Sequence, residues 1–212
     1  MRLRQHPSPN FGPRRGGATP RFVVLHYTGM ISAAAALARL CDPSAEVSAH
    51  YLIEAGGGVL QLVDERQRAW HAGAGQWRGQ GDINSCSVGI ELDNLGTHPF
   101  SDPQMQALEG LLPQIMARWD IPPENIIGHS DMAPGRKTDP GPRFDWARLE
   151  RQGLAARRGR LRRPAGAAPD FVAAAAQAGF TCPCRFEDLL AATRLRFAPW
   201  RQGPLQPDDF IF

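Results

Sequence analysis

Apolar residues fall in short dense runs separated by Gly- and Pro-rich stretches, with one long segment at helical spacing. Phe22-Val23-Val24-Leu25, closing in His26-Tyr27, is almost wholly apolar and strand-length, the pattern of a strand buried on both faces. Residues 49–54 and 59–63 flank Gly56-Gly57-Gly58 and predict a hairpin. Residues 86–92 and 125–127 predict two further strands. Met105, Leu108, Leu111, Leu112, Ile115, Met116 and Trp119 share one face of a helix over Asp102–Trp119, with Ser101 as N-cap. The Ala-rich residues 31–40 and the segment 144–152 predict shorter helices. Strands alternating with helices, plus one hairpin, give an α/β fold: a central mixed β-sheet flanked by helices. After about residue 155 the character changes. An Arg-rich stretch precedes two short helical segments, 170–179 and 185–197, which predict a helical C-terminal appendage. The expected organisation is a main domain over residues 1–155, with residues 1–20 as a surface arm, and a linker plus small tail over 156–212.

The chain's 212 residues suit one main domain with a small addition. A hydrophobic share of 42% and a charged share of 21% are those of a globular protein. The net charge of +3 argues against a nucleic-acid partner. Much of the excess lies in Arg157-Arg158-Gly159-Arg160-Leu161-Arg162-Arg163, readable as a solvated linker or as a contact for an anionic polymer. Cys41, Cys86, Cys182 and Cys184 lack zinc-finger or CxxC spacing and suit a reducing compartment. No apolar run approaches the roughly 18 residues of a membrane span, and no signal peptide is visible. The expected location is the cytoplasm, with the periplasm as alternative.

Candidate chemistry begins in Gly128-His129-Ser130-Asp131-Met132-Ala133-Pro134-Gly135-Arg136-Lys137-Thr138-Asp139-Pro140-Gly141-Pro142. Prolines stiffen this loop and glycines let it turn, so it can hold polar side chains rigidly after a short strand. His129 and Asp139 are candidate metal ligands, and His26, at the end of its strand, is a candidate third. Two imidazoles and a carboxylate are a donor set for a catalytic zinc ion, which leaves one position open. Each histidine taken alone also reads as a hydrogen-bonded core residue. Val88, Ile90 and Leu92 form the apolar face of their strand, which puts Glu91 opposite with Ser87 and Gly89. Glu91 is then either an edge carboxylate in solvent or a general base beside the metal. Lys137 is either a surface lysine or a cation placed near a developing oxyanion.

Five segments in fixed order carry a resemblance: Val24-Leu25-His26-Tyr27-Thr28, Val47-Ser48-Ala49-His50-Tyr51-Leu52-Ile53, Ala69-Trp70-His71-Ala72-Gly73, Ser87-Val88-Gly89-Ile90-Glu91-Leu92 and the 128–142 loop. Over about residues 20–150 the chain resembles the zinc-dependent N-acetylmuramoyl-L-alanine amidases, which share a fold with phage amidase lysozymes and peptidoglycan recognition proteins. The resemblance implies one zinc ion per chain on His26, His129 and Asp139, with Glu91 as catalytic carboxylate and Lys137 as oxyanion-stabilising cation. It puts Trp70, His71 and Asn84 in contact with substrate, with Tyr51 and His50 near the site. The implied reaction hydrolyses the amide between the lactyl group of N-acetylmuramic acid, or its 1,6-anhydro form, and L-alanine of the stem peptide. Implied partners are peptidoglycan fragments or the sacculus. The alternatives are a non-catalytic peptidoglycan-recognition module on the same fold and a zinc amidase for another amide. The tail after about residue 160 is similar to, but shorter than, a small helical peptidoglycan-binding module of some wall-acting members.

Overall fold

The computed structural model describes residues 3–159 and 168–210; Arg160, Leu161, Arg162 and Arg163 of the Arg-rich cluster lie outside the described residues. In chain order the elements are β1 (Leu3–Gln5), β2 (Phe11–Pro13), β3 (Phe22–Tyr27), α1 (Ala33–Cys41), β4 (Tyr51–Ile53), β5 (Val59–Gln61), β6 (Gln67–Ala69) and α2 (Ile83–Cys86). These are followed by β7 (Ser87–Leu92), α3 (Asp102–Trp119), β8 (Ile126–Gly128), α4 (His129–Met132), α5 (Trp146–Arg151), α6 (Ala168–Ala178) and α7 (Phe186–Phe197). The main sheet has the order β1-β5-β4-β7-β3-β8. It is mixed: β4 and β5 form the antiparallel hairpin, while β4–β7, β7–β3, β3–β8 and β1–β5 are parallel. β2 and β6 form a separate antiparallel ribbon.

The arm over residues 1–20 does more than cover the surface. It adds the edge strand β1 and one half of the ribbon, and the Arg14 guanidinium donates to the carbonyls of Glu65 (2.7 Å), Ser85 (2.8 Å) and Ser87 (2.9 Å). A cation that satisfies several otherwise unpaired carbonyls ties the arm to β7. The sequence contains the residues but no periodicity that signals a three-residue strand. Helix α3 starts as expected, with Ser101 Oγ accepting from Gln104 N–H. The 144–152 helix is shorter than expected, because Asp145 accepts from Arg148 N–H at 2.9 Å and so caps it later.

Strand alternation gives the sheet two cores. Val23, Leu25, Val88, Ile90, Leu92 and Ile126 face α3, where Leu108, Leu112 and Ile115 are fully buried. Phe22, Val24 and Ile127 face the other way, against Phe171, Phe180, Leu189, Leu190 and Phe197 of the C-terminal tail. The tail therefore closes one face of the sheet. Arg196 of α7 reaches Asp131 Oδ2 at 2.8 Å and the Ile126 carbonyl at 3.0 Å, both buried. Among the described residues no helix is long and apolar enough to cross a membrane.

Candidate active site

Three parallel strands, β3, β7 and β8, end along one edge of the sheet, and open α/β sheets bind ligands beyond the carboxyl ends of their strands. His26 is the fifth residue of β3 and pairs in register with Glu91 of β7, so both side chains rise from the same face. Toward the start of these strands that face is covered by the tail. At His26 and Glu91 the cover stops, leaving a cleft of about 550 Å³. Residue 129 follows β8 directly, and the loop then returns Asp139 beneath it. Ser130 N–H donates to the Asp139 carbonyl at 2.9 Å, which closes the loop.

His26 Nδ1 stands 2.8 Å from Asp139 Oδ2, and His129 Nδ1 stands 3.0 Å from the same oxygen. One donor atom from each of the three residues lies within 4.8 Å of the others, and all three residues are buried. His129 Nε2 is 2.8 Å from the Ala72 carbonyl, which can only accept; with the proton on that nitrogen, Nδ1 turns a lone pair toward Asp139. That lone pair and the Asp139 carboxylate converge where a cation would offset their repulsion. The donor set is two imidazoles and a carboxylate at a cleft wall, so these residues could hold a zinc ion with a position left open.

Burial lowers the pKa of His26 to about 4, the neighbouring His129 adds to this, and Asp139 opposes it. The imidazole is thus neutral at pH 7, the form that ligates metal. Burial also pushes the Glu91 carboxyl well above the ordinary carboxylate range; Asp139 adds to the push and Lys137 opposes it. Glu91 Oε2 is buried with no hydrogen-bond partner among the described residues. A carboxylate left this way is costly unless it serves the cleft, and a raised pKa suits a group that must take and return a proton near neutrality.

The cleft brings together His26, His129, Asp139, Glu91, Lys137, Trp70 and His71 of the residues expected from sequence. Lys137 is exposed at its rim. Asn84, Tyr51 and His50 are not among its lining, and each has a structural occupation. Asn84 Oδ1 accepts from the backbone N–H groups of His71 (3.0 Å) and Ala72 (2.8 Å). Tyr51 Oη donates to Glu65 at 2.6 Å, and burial together with that carboxylate pushes its pKa up. His50 is fully buried: its Nδ1 accepts from Gly89 N–H at 2.9 Å, and its Nε2 donates to the Gln67 carbonyl at 3.1 Å. The family resemblance put these three at or near the site; in the structure Asn84 Oδ1, the Tyr51 hydroxyl and both His50 ring nitrogens are engaged by backbone and core groups. Arg136 was missed as a functional residue. Its guanidinium donates to the Ala72 carbonyl at 2.6 Å and also to that of Ala74, tying the metal loop to the Trp70–His71 segment. The signal was available, since Arg136 stands beside Lys137 in the 128–142 loop. Tyr27, whose Oη lies 3.0 Å from Thr138 Oγ1, also lines the cleft.

A cleft that gathers a metal donor set, an isolated carboxylate and a lysine has the layout of a metal-assisted hydrolase. Residues 16–142 match the family described as N-acetylmuramoyl-L-alanine amidase, and the chain belongs to that family. It is 43% identical over 157 residues to the N-acetylmuramoyl-L-alanine amidase AmiD of Escherichia coli, covering 66% of this chain and 56% of that protein. It is 36% identical over 163 residues to the 1,6-anhydro-N-acetylmuramyl-L-alanine amidase AmpD of the same organism, covering 69% of this chain and 89% of the relative. The chain thus spans little more than half of the first relative and most of the second. The structure of AmpDH3 from Pseudomonas aeruginosa in complex with anhydromuramic pentapeptide superposes with a TM-score of 0.82 at 31% identity, covering 97% of this chain and 92% of the other. That of AmiD with the substrate anhydro-N-acetylmuramic acid-L-Ala-D-γ-Glu-L-Lys gives a TM-score of 0.76 at 33% identity, covering 90% of each chain.

Proposed function

We propose that this protein hydrolyses the amide joining the lactyl group of N-acetylmuramic acid, or its 1,6-anhydro form, to L-alanine of the stem peptide. One zinc ion would be held by His26 Nδ1, His129 Nδ1 and the Asp139 carboxylate. The observation that carries this reading is the convergence of those three donors beside Glu91 in one cleft of a family-matched chain. The AmpDH3 and AmiD complexes with anhydromuramyl peptides support a ligand of that chemistry.

When bound, zinc supplies Lewis acidity, lowering the pKa of water toward about 7 and polarising a carbonyl. The remaining work falls to the chain. Glu91, whose carboxyl is pushed well above the usual carboxylate range by burial, takes the proton of the attacking water and returns it to the departing amine of L-alanine. The Lys137 ammonium at the rim lies against the oxyanion that develops on the lactyl carbonyl. The half-buried Trp70 offers an apolar wall for the sugar or peptide. Arg136 locks the loop bearing Lys137 to the segment bearing Trp70, so cation and wall keep a fixed spacing.

The test is incubation of the zinc-loaded protein with anhydro-N-acetylmuramyl-L-Ala-D-γ-Glu-L-Lys and with intact sacculi, with products read by mass spectrometry. Release of the peptide with a free L-alanine amine is expected. Binding of the muropeptide without cleavage would overturn the hydrolase reading. Relative rates on the soluble fragment and the sacculus sort a recycling role from wall turnover.

A further inference from the structure

The two candidate ligand imidazoles are aimed by one short piece of backbone that neither strand carries. His71 and Ala72 follow β6, and both of their amides donate to Asn84 Oδ1. From this pinned segment the Ala72 carbonyl accepts His129 Nε2–H at 2.8 Å, and His71 Nδ1 stands 3.0 Å from His26 Nε2. One residue therefore orients each histidine from behind.

The proton order along this chain follows from its far end. Ser87 Oγ lies 2.6 Å from the Ile83 carbonyl, and a carbonyl can only accept, so the hydroxyl donates there. Ser87 Oγ then has only lone pairs to offer His71 Nε2 at 3.2 Å, and that nitrogen carries the proton of the neutral ring. His71 Nδ1 is left as a bare acceptor for His26 Nε2–H, which in turn leaves His26 Nδ1 bare and facing Asp139. The ring also has a seat cut for it. A Cβ on residue 89 would lie 2.6 Å from His71 Nδ1, so only glycine at this point of β7 lets the imidazole lie over the strand.

We propose that His71 is a positioning residue for the metal site, fixing the tautomer and direction of His26 through the Ser87–His71–His26 chain. This rests on the zinc reading above. It differs from a substrate contact, the role the resemblance gives His71, in what it makes depend on the residue. A group orienting a metal ligand sets metal affinity, typically by about 10- to 100-fold. A substrate contact changes the steady-state constants and leaves the affinity for the metal and its spectrum as they were.

The experiment uses the full chain carrying His71→Phe, His71→Gln, Gly89→Ala or Ser87→Ala. Zinc affinity is measured by chelator competition, the visible spectrum is recorded after cobalt loading, and kcat and KM are taken on the anhydromuramyl tripeptide. His71→Phe is expected to lose about 10- to 100-fold in zinc affinity and to shift the cobalt bands. His71→Gln, which keeps an acceptor oxygen, should recover much of this. Gly89→Ala, which keeps the imidazole but displaces it, should reproduce part of the loss. If His71→Phe does not fold, Gly89→Ala and Ser87→Ala decide by the same two readouts. Unchanged zinc affinity and cobalt spectrum with a raised KM would overturn the inference and leave the proposed function standing. A wild-type chain that takes up no zinc would overturn the reading on which it rests.

Discussion

Replacing Arg196 by Met removes a charge that the C-terminal tail inserts behind the metal loop while keeping most of the stem's packing. Arg196 is 4% exposed and its partner Asp131 1%. Asp131 Oδ2 accepts from Arg196 Nη1 at 2.8 Å and from Gly128 N–H at 2.8 Å, while Asp131 Oδ1 is buried without a partner among the described residues. The substitution therefore strands a buried carboxylate with a single backbone donor, a loss of about 3–5 kcal/mol for a broken buried pair. The Ile126 carbonyl loses its donor at 3.0 Å, and the stacking of the guanidinium 3.9 Å above the Trp146 ring goes with it, so the upper part of that range applies. At roughly 2–4 °C per kcal/mol for a domain of this size, a loss of about 4–5 kcal/mol lowers Tm by roughly 8–20 °C. Thermal and urea melts followed by circular dichroism measure both quantities. Arg196→Met combined with Asp131→Leu removes both charges and should regain most of the stability, because neither ion is left alone. A loss below about 1 kcal/mol in the single variant would refute the reasoning, and with it the view that the tail is part of the body of the fold.

Lys137→Met should lower kcat by about 100-fold while zinc content stays at the wild-type level, read by metal analysis beside steady-state kinetics; an equal kcat would remove the oxyanion role. Asp209 is buried against Arg194 at 2.7 and 2.9 Å; burial pushes its pKa up, but the Arg194 hydrogen bonds outweigh this and hold it below 3.8. A depressed folded pKa contributes stability above the unfolded value that is lost as pH falls through the folded one. The Tm gap between wild type and Asp209→Asn should thus be full at about pH 7 and shrink below about pH 4. A gap of constant size across that range would contradict the pairing. Ser101→Ala should cost about 1 kcal/mol through loss of the α3 cap, measured by urea melts, with kcat unchanged.

The residues that bear on chemistry were legible where strand geometry governs them. His26, Glu91 and His129 stand at or beside the ends of apolar runs, and alternation alone assigns Glu91 to the face opposite Val88, Ile90 and Leu92. The parallel pairing that sets His26 beside Glu91 is a long-range fact, and only the family resemblance anticipated it. Asn84, His50 and Tyr51 show the limit. Their polar atoms are used by the His71 amide, the Gly89 amide and the Glu65 carboxylate, partners that local periodicity cannot supply. The tail shows it again. Its two helices were visible as apolar spacing, but the face they cover and the 65-residue reach from Arg196 to Asp131 depend on how the sheet is ordered.

The central claim is that cleavage depends on a metal held by His26, His129 and Asp139. The measurement that tests it most directly follows peptide release from anhydro-N-acetylmuramyl-L-Ala-D-γ-Glu-L-Lys in one preparation, before chelation, after it, and after zinc is restored, with bound zinc determined at each stage. The same series is run on Asp139→Ala. About one zinc per chain, release that vanishes with the metal and returns with it, and an Asp139→Ala protein that folds but neither retains zinc nor cleaves are the expected results. Turnover that survives complete removal of zinc, or that persists in Asp139→Ala, would contradict the account.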